Sequence, residues 1–155
     1  MNRKDAYRIA IEAEIRSQNL YKALAKSFKN EETTQFYSQL MLYEKDHEMK
    51  VRGLYAQEFP HEKLKLVGKL DMQMEGLELG DPKAVLEFAI SREELAQNIY
   101  LKLAEQSEDA STKALLKQLA AEEEQHKELL YAEIEKIQGL LKWFDRSELD
   151  GFMEH

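Results

Sequence analysis

The amino-acid sequence predicts an all-α protein: a four-helix bundle with one long crossover connection and a short C-terminal helix. Three observations support this prediction. The chain has 155 residues, of which 34% are charged and only 2 are proline and 6 glycine, a composition that favours long helices over loops. Apolar residues recur with the helical period of about 3.6 residues in four long segments. The second half of the chain also repeats the first.

The repeat is visible when the chain is shifted by 79 positions, so that Tyr21 aligns with Tyr100. Eight of the sixteen positions from 10 to 25 are then identical, far more than chance would give. The same shift aligns Glu14 with Glu93, Glu44 with Glu123, and His47 with His126. We interpret residues 1–155 as a single domain of two duplicated helical hairpins, about 3–58 and 82–139, joined by a crossover at 59–81.

The first helix is expected to run from about Arg3 to Phe28. Glu14 lies in the middle of its apolar stripe, which is an unusual position for an unpaired carboxylate. The neighbouring Glu12 and Arg16 point away from this stripe, and we interpret them as surface charges.

The second helix is expected to begin after capping residues around Asn30 and to end at about Glu58, before a Phe-Pro pair. Residues 59–81 form the only long connection. Apolar residues between Leu64 and Met74 alternate, which is compatible with a short extended segment or a short helix. A connection of this length can travel the full length of the bundle, so that the second and third helices run parallel.

Asp81 and Pro82 mark the start of the third helix, because Asp is a capping residue and Pro is favoured at the first helical position. This helix is expected to end at about Gln106. After a turn near residues 107–111, the fourth helix is expected to end near Gly139. The predicted C-terminal helix would pack on the bundle or on a second subunit through Trp143, Phe144, Leu149 and Phe152.

One glutamate lies near the centre of the apolar stripe on each of the four helices: Glu14, Glu44, Glu93 and Glu123. Four uncompensated carboxylates in a bundle core would be costly to bury, or would remain protonated. Two divalent cations would balance their four negative charges. The sequence therefore predicts a dinuclear metal site.

Two histidines fit the same site. His47 follows Glu44 by three residues, and His126 follows Glu123 by three, which places each pair on one face of a helix, one turn apart. We therefore predict that both imidazoles bind metal. The remaining histidines, His61 and His155, have no such partner and are given no metal role.

Tyr21 and Tyr100 lie seven residues after Glu14 and Glu93, on the same helix faces and two turns away. We interpret both as core residues. We also predict that each assists the chemistry indirectly, by donating a hydrogen bond to a carboxylate that binds metal.

Charge and composition exclude several classes of function. The net charge of −8 argues against nucleic-acid binding, which requires clustered lysine and arginine. No apolar run approaches the roughly 20 residues that cross a bilayer, and the first residues lack the apolar core of a signal peptide, so we expect a soluble cytoplasmic protein. The chain has no cysteine, so any metal must be held by oxygen and imidazole nitrogen, a donor set that suits iron or manganese.

A lone glutamate on the first and third helices, with Glu-x-x-His on the second and fourth, resembles the ferritin-like carboxylate bundles over residues 3–139. The segment from Ala10 to Tyr21 is similar to the first helix of the rubrerythrin branch. The resemblance implies two iron ions, with manganese possible. It implies that Glu44 and Glu123 bridge the ions, that Glu14 and Glu93 are terminal carboxylates, and that His47 and His126 are the imidazole ligands.

The sequence departs from the rubrerythrin pattern in two ways. Rubrerythrins carry a further glutamate one turn beyond the third-helix ligand, and they use it as the irons change oxidation state; here that residue is Ala96. They also usually carry a four-cysteine rubredoxin module, and this chain has no cysteine. Electrons would therefore have to come from another protein.

We therefore predict a di-iron oxidoreductase, a peroxidase or oxidase that acts on hydrogen peroxide or O2 in defence against oxidative stress. We expect an external electron-donor protein and a homodimer. Three alternatives remain: a ferritin-like iron-binding, storage or ferroxidase protein without peroxidase turnover, a manganese catalase, and a metal-free interaction scaffold.

Overall fold

The computed structural model describes residues 2–70 and 81–143, with side chains up to residue 139. Within these ranges the chain forms four helices and no strand, so the all-α fold class is confirmed. No helix among them is long and apolar enough to cross a membrane. The helices are α1 (Arg3–Ser27), α2 (Glu31–Glu58), α3 (Pro82–Gln106) and α4 (Ala110–Trp143).

Each helix begins after an Asn or Asp whose side-chain oxygen accepts a hydrogen bond from a backbone N–H three residues later. This bond satisfies one of the donors that the first turn of a helix leaves free, and it fixes where the helix starts. The predicted start of α3 at Pro82 is confirmed. The four pairs of capping residue and donor are Asn2 with Asp5, Asn30 with Thr33, Asp81 with Ala84, and Asp109 with Thr112.

The helices pack as two antiparallel hairpins, α1 with α2 and α3 with α4, which meet mainly through α1 and α3. Helices α2 and α4 approach each other much less closely. One apolar cluster combines the start of α1 and α4 with the end of α2 and α3, and a second cluster combines the opposite ends. Helices α2 and α3 therefore run parallel, as the long connection predicted.

The first part of the crossover, residues 59–70, runs along α1 and contains neither helix nor strand. Asn19 donates a hydrogen bond to the carbonyl oxygen of Leu70 at 2.6 Å, and Arg16 donates one to Lys69 at 2.8 Å. Leu64 and Leu66 pack against the apolar cluster nearer the start of α1. The predicted alternation up to Met74 continues beyond the described residues.

The prediction that Glu12 is a surface charge was wrong. Glu12 is buried, 2% exposed, and accepts a hydrogen bond from Arg8 at 2.6 Å. The crossover covers this face of α1, because Gly68 lies close to both Glu12 and Arg16. The helical period showed which way Glu12 points, but not that another segment would cover it.

The end of α4 also differs from the prediction. The helix continues through Gly139 to Trp143. A single glycine inside a helix costs only about 1 kcal/mol relative to alanine, so it does not by itself end one. Trp143 therefore belongs to α4, and the remainder of the predicted C-terminal helix, with Phe144, Leu149 and Phe152, lies outside the described residues.

Candidate metal centre

The six predicted ligands meet in the middle of the bundle, between the two apolar clusters. Every one of them is buried: the four glutamates are at most 1% exposed, and the two histidines at most 5%. One glutamate comes from each helix, and the histidines come from α2 and α4. The six residues are Glu14, Glu44, His47, Glu93, Glu123 and His126.

The residues form two groups, in each of which four ligand atoms lie within 4.8 Å of one another. Glu44 and Glu123 belong to both groups. One group is completed by Glu14 and His47, and the other by their repeat counterparts, Glu93 and His126. Two adjacent positions that share two carboxylates are the arrangement expected of a dinuclear centre.

Imidazoles and carboxylates pair across the two hairpins. Nδ1 of His47 lies 2.5 Å from Oε1 of Glu123, and Nδ1 of His126 lies 2.9 Å from Oε1 of Glu44. Both imidazoles therefore turn Nδ1 towards the centre. Each position is built from both halves of the chain.

Two tyrosines also form hydrogen bonds from one hairpin to the other. Tyr21 in α1 donates a hydrogen bond to Oε1 of Glu93 at 2.5 Å, and Tyr100 in α3 donates one to Oε1 of Glu14 at 2.6 Å. The predicted contact with a carboxylate is therefore present. It joins each tyrosine to the carboxylate of the opposite half, which lies across the α1–α3 interface.

Each of the four carboxylates uses Oε1 in one of these contacts and leaves Oε2 buried without a hydrogen-bond partner among the described residues. A buried carboxylate oxygen without a partner costs free energy. Four such oxygens from Glu14, Glu44, Glu93 and Glu123, together with two imidazole nitrogens, form an oxygen and nitrogen donor set that suits iron or manganese. The residues therefore fit two divalent ions.

Electrostatics indicate the same need for positive charge. Burial raises the pKa of the Glu44 carboxyl well above its ordinary value, and repulsion by Glu14 and Glu93 raises it further. Burial acts in the same direction on Glu14, but the interactions of this carboxyl group with Glu44 and His47 outweigh it and lower the pKa of Glu14. Burial lowers the pKa of His47, but its interaction with Glu14 outweighs this and raises the pKa above its ordinary value. The Glu44 carboxyl therefore favours its protonated form unless nearby cations balance the negative charge of the centre.

Two further residues at the outer edge of the centre were missed by the sequence analysis. Oε2 of Glu122 lies 3.3 Å from Nε2 of His47, and the ring of Tyr43 stacks on His126 with centroids 5.4 Å apart. The signal was present in the sequence, because the 79-residue shift aligns position 43 with position 122. It was not used, since neither residue belongs to the Glu-x-x-His pattern.

Ala96 lies one turn after Glu93 and is buried, 3% exposed, in the apolar cluster that contains the end of α3. It contributes no donor atom. Among the described residues, the groups that could hold a metal contain four glutamates and two histidines only.

Comparisons with known proteins identify a family and a structure of similar fold. The rubrerythrin family model matches residues 5–75 and 84–154. A solved structure of a hypothetical protein from Pyrococcus furiosus is similar, with a TM-score of 0.80 and 31% sequence identity over 94% of each chain. No curated protein matches the chain.

The fold and the buried carboxylates and imidazoles define a ferritin-like carboxylate bundle, a class of helical proteins compatible with a dinuclear metal site. Within that class, the chain belongs to the rubrerythrin family. It carries no cysteine, so it contains no four-cysteine module.

Proposed function

We propose that this protein is a dinuclear-metal oxidoreductase, with two iron ions as cofactor, that reduces hydrogen peroxide or O2 and protects the cell from oxidants. One observation carries the proposal: two groups of ligand atoms share Glu44 and Glu123, and each carboxylate keeps a buried oxygen unpartnered. Two irons held side by side supply two electrons together, the number needed to reduce one peroxide to two waters.

The protein's own residues would hold and shield this pair of ions. Glu14 and His47 would complete one position, Glu93 and His126 the other, and the two apolar clusters on either side would limit the access of water. The hydroxyls of Tyr21 and Tyr100 would orient the two terminal carboxylates.

The reaction also needs a source of electrons. Reduction of one peroxide to two waters consumes two electrons and two protons, and reduction of O2 to two waters consumes four of each. The chain has no cysteine with which to hold an iron–sulfur or rubredoxin centre. We propose an external electron-donor protein as the partner, and a cytoplasmic location where such donors are available.

We further propose a homodimer. Large apolar side chains are exposed on α2, at Leu42, Tyr43 and Met49, and on α4, at Leu129 and Tyr131. Contact with a second subunit would remove such surface from water. A sizing column distinguishes a dimer from the hollow multi-subunit shell that iron storage requires.

The central experiment loads the protein with Fe(II) without oxygen and follows iron oxidation after one equivalent of peroxide. We expect two irons per chain and rapid oxidation. Glu44→Ala and Glu123→Ala should each abolish the binding of two irons and the rapid oxidation, because each substitution removes a ligand shared by the two positions. Glu124→Gln is the matched control: this neighbour is 48% exposed and pairs with Lys127.

The outcomes separate the candidate functions. Normal iron binding in either alanine variant would contradict the assignment of the centre. Oxygen release from peroxide by manganese-loaded protein, without a reductant, would identify a catalase. Uptake of many irons per chain by a large shell would identify storage.

A further inference from the structure

The metal-binding residues predicted in the two halves of the chain are identical after the shift. The residue directly before each Glu-x-x-His pair differs. Glu14, Glu44 and His47 have identical counterparts after the 79-residue shift, but Tyr43 aligns with Glu122. Both side chains reach across the wide α2–α4 interface to the histidine of the opposite half. The two imidazoles therefore have different neighbours on their outer sides.

Carboxylates lie on both sides of the His47 imidazole. Its Nδ1 faces Glu123 inside the centre, and its Nε2 lies 3.3 Å from Oε2 of Glu122 on the outside. This oxygen of Glu122 is buried and has no hydrogen-bond partner among the described residues, although the side chain as a whole is 32% exposed. No lysine or arginine in the described part of the chain lies within ion-pair distance of it. An acceptor without a partner thus lies beside the outer nitrogen of His47.

His126 has a different environment. Its Nδ1 faces Glu44 and Glu93, at 2.9 and 3.6 Å. On its outer side the ring of Tyr43 stacks on the imidazole, with an angle of 24° between the planes. Within the described residues, no carboxylate lies within ion-pair distance of Nε2 of His126. A stacked ring packs against the imidazole but does not accept its N–H.

This difference affects how each imidazole binds a metal ion. An imidazole that binds through Nδ1 must carry its proton on Nε2. A carboxylate that accepts this N–H fixes the tautomer and the orientation of the ring, and it increases the electron density at Nδ1. Loss of such an outer partner typically weakens metal binding by about 10- to 100-fold.

We propose that Glu122 is a positioning residue for His47 and makes the two metal positions unequal. The position completed by Glu14 and His47 binds a divalent cation more tightly and fills first, and the position completed by Glu93 and His126 fills second. The inference rests on the proposed metal centre, because it concerns the order in which that centre is loaded.

The test is an anaerobic calorimetric titration with Fe(II) alone. Wild-type protein should bind two ions in two steps whose dissociation constants differ by about 10-fold or more. Glu122→Gln keeps the size of the side chain but removes its charge, so the tighter step should weaken by about 10- to 100-fold, while the weaker step stays within about twofold. Glu124→Gln removes a neighbouring exposed charge and should leave both steps unchanged.

A gain of affinity provides a second variant. Tyr43→Glu places a carboxylate at the repeat counterpart of Glu122, beside His126. The dissociation constant of the weaker step should therefore fall towards that of the tighter step. Mössbauer spectra of protein half-loaded with ⁵⁷Fe(II) provide a readout that altered folding would not reproduce. Wild type should show one dominant iron environment, and Tyr43→Glu should show two in comparable amounts.

Two equal steps in wild type, or an unchanged titration in Glu122→Gln, would overturn this inference and leave the proposed centre standing. The absence of any Fe(II) binding by wild type would overturn both together. If Glu122→Gln weakened both binding steps to the same extent, Glu122 would act on both positions through its charge rather than on His47 alone. That result would also contradict the proposed inequality.

Discussion

For individual side chains in the centre, the protein satisfies only part of the bonding capacity. Tyr100 donates to one oxygen of Glu14 and Tyr21 to one oxygen of Glu93, while the second oxygen of each carboxylate stays unpartnered. Burial, followed by repulsion from the carboxylates, raises the pKa of both tyrosines well above the ordinary value. The hydroxyls therefore stay protonated at neutral pH and act as donors.

Removing either hydroxyl should weaken metal binding. We expect Tyr21→Phe and Tyr100→Phe each to raise the dissociation constant for Fe(II) by about 10-fold, because the terminal carboxylate loses the bond that orients it. Anaerobic titration measures the change. Tyr37→Phe is the control, since Tyr37 packs against Tyr21 and Phe28 in the core and makes no hydrogen bond to a ligand carboxylate. Equal affinities in all three variants would contradict the orienting role.

At the scale of the residue, the sequence predicted a great deal of this centre. The Glu-x-x-His spacing and the repeat were enough to select six buried residues, because helical geometry places residues three apart on one face. Glu122 was not predicted, because its contact with His47 depends on how α2 and α4 face each other. Periodicity within one helix contains no information about that distance.

At the scale of the element, the crossover packs along α1 and the capping residues fix where the helices start. The crossover covers Glu12 and turns at Gly68, the one described residue with positive φ, at 95°. Helix starts were predictable, because Asn and Asp caps are local signals. The path of the crossover was not, since it depends on contacts with Arg16 and Asn19 that lie some 50 residues away in sequence.

Alanine at Gly68 should be destabilising. A side chain at this φ costs about 1 to 2 kcal/mol, and the added Cβ would lie 3.1 Å from the guanidinium of Arg16. Gly53→Ala is the matched control: it lies inside α2 with nothing within 4 Å, so it should stabilise by about 0.5 to 1 kcal/mol. Urea unfolding measures both changes. Opposite signs are expected, and the same sign would contradict the geometry.

Arg3 joins three helices at one end of the bundle. It donates to Glu58 at 2.5 and 3.0 Å, to the carbonyl of Leu103 and to the hydroxyl of Ser107. Tyr7 also donates to Glu58, at 2.7 Å. The hydrogen bonds from Arg3, above all, lower the pKa of Glu58 below its ordinary value of 4.5.

The stability that Glu58 contributes should depend on pH. A carboxylate whose pKa is lower in the folded state stabilises the fold fully above its unfolded pKa, and this contribution disappears as pH falls through the folded pKa. We expect Glu58→Gln to lose about 1 to 3 kcal/mol of unfolding free energy at pH 7. The difference from wild type should shrink steadily below about pH 4.5.

Denaturant unfolding between pH 3 and 7 measures the effect. Glu62→Gln is the comparison, since Glu62 pairs with Lys4 at 3.4 Å and both side chains are about half exposed. That variant should change stability by less than about 0.5 kcal/mol at any pH in the range. A loss in Glu58→Gln that stays constant with pH would show that packing, rather than charge, is responsible.

At the scale of the whole molecule, the two hairpins are held together by α1, α3 and the centre between them. The parallel arrangement of α2 and α3 follows from the repeat and from the length of the connection, whereas the family assignment rests on the match to the rubrerythrin family model. The inequality that we propose for the two metal positions does not follow from the repeat, because Tyr43 and Glu122, on which it rests, break that repeat.

Metal binding should stabilise the whole bundle. An ion that binds only the folded state adds about 2.7 kcal/mol at a concentration one hundred times its dissociation constant. For a chain of this size that raises Tm by about 5 to 10 °C. Thermal scans with and without Mn(II) measure the shift. The double variant Glu44→Ala with Glu123→Ala should show none, and an equal shift there would place the ion elsewhere.

The pairing of ligands across the two hairpins has a consequence for shortened chains. Each position takes donor atoms from α1 or α2 and also from α3 or α4. A hairpin separated from the other would lack part of the ligand set of both proposed positions. Its expected capacity for metal would therefore be zero ions rather than one.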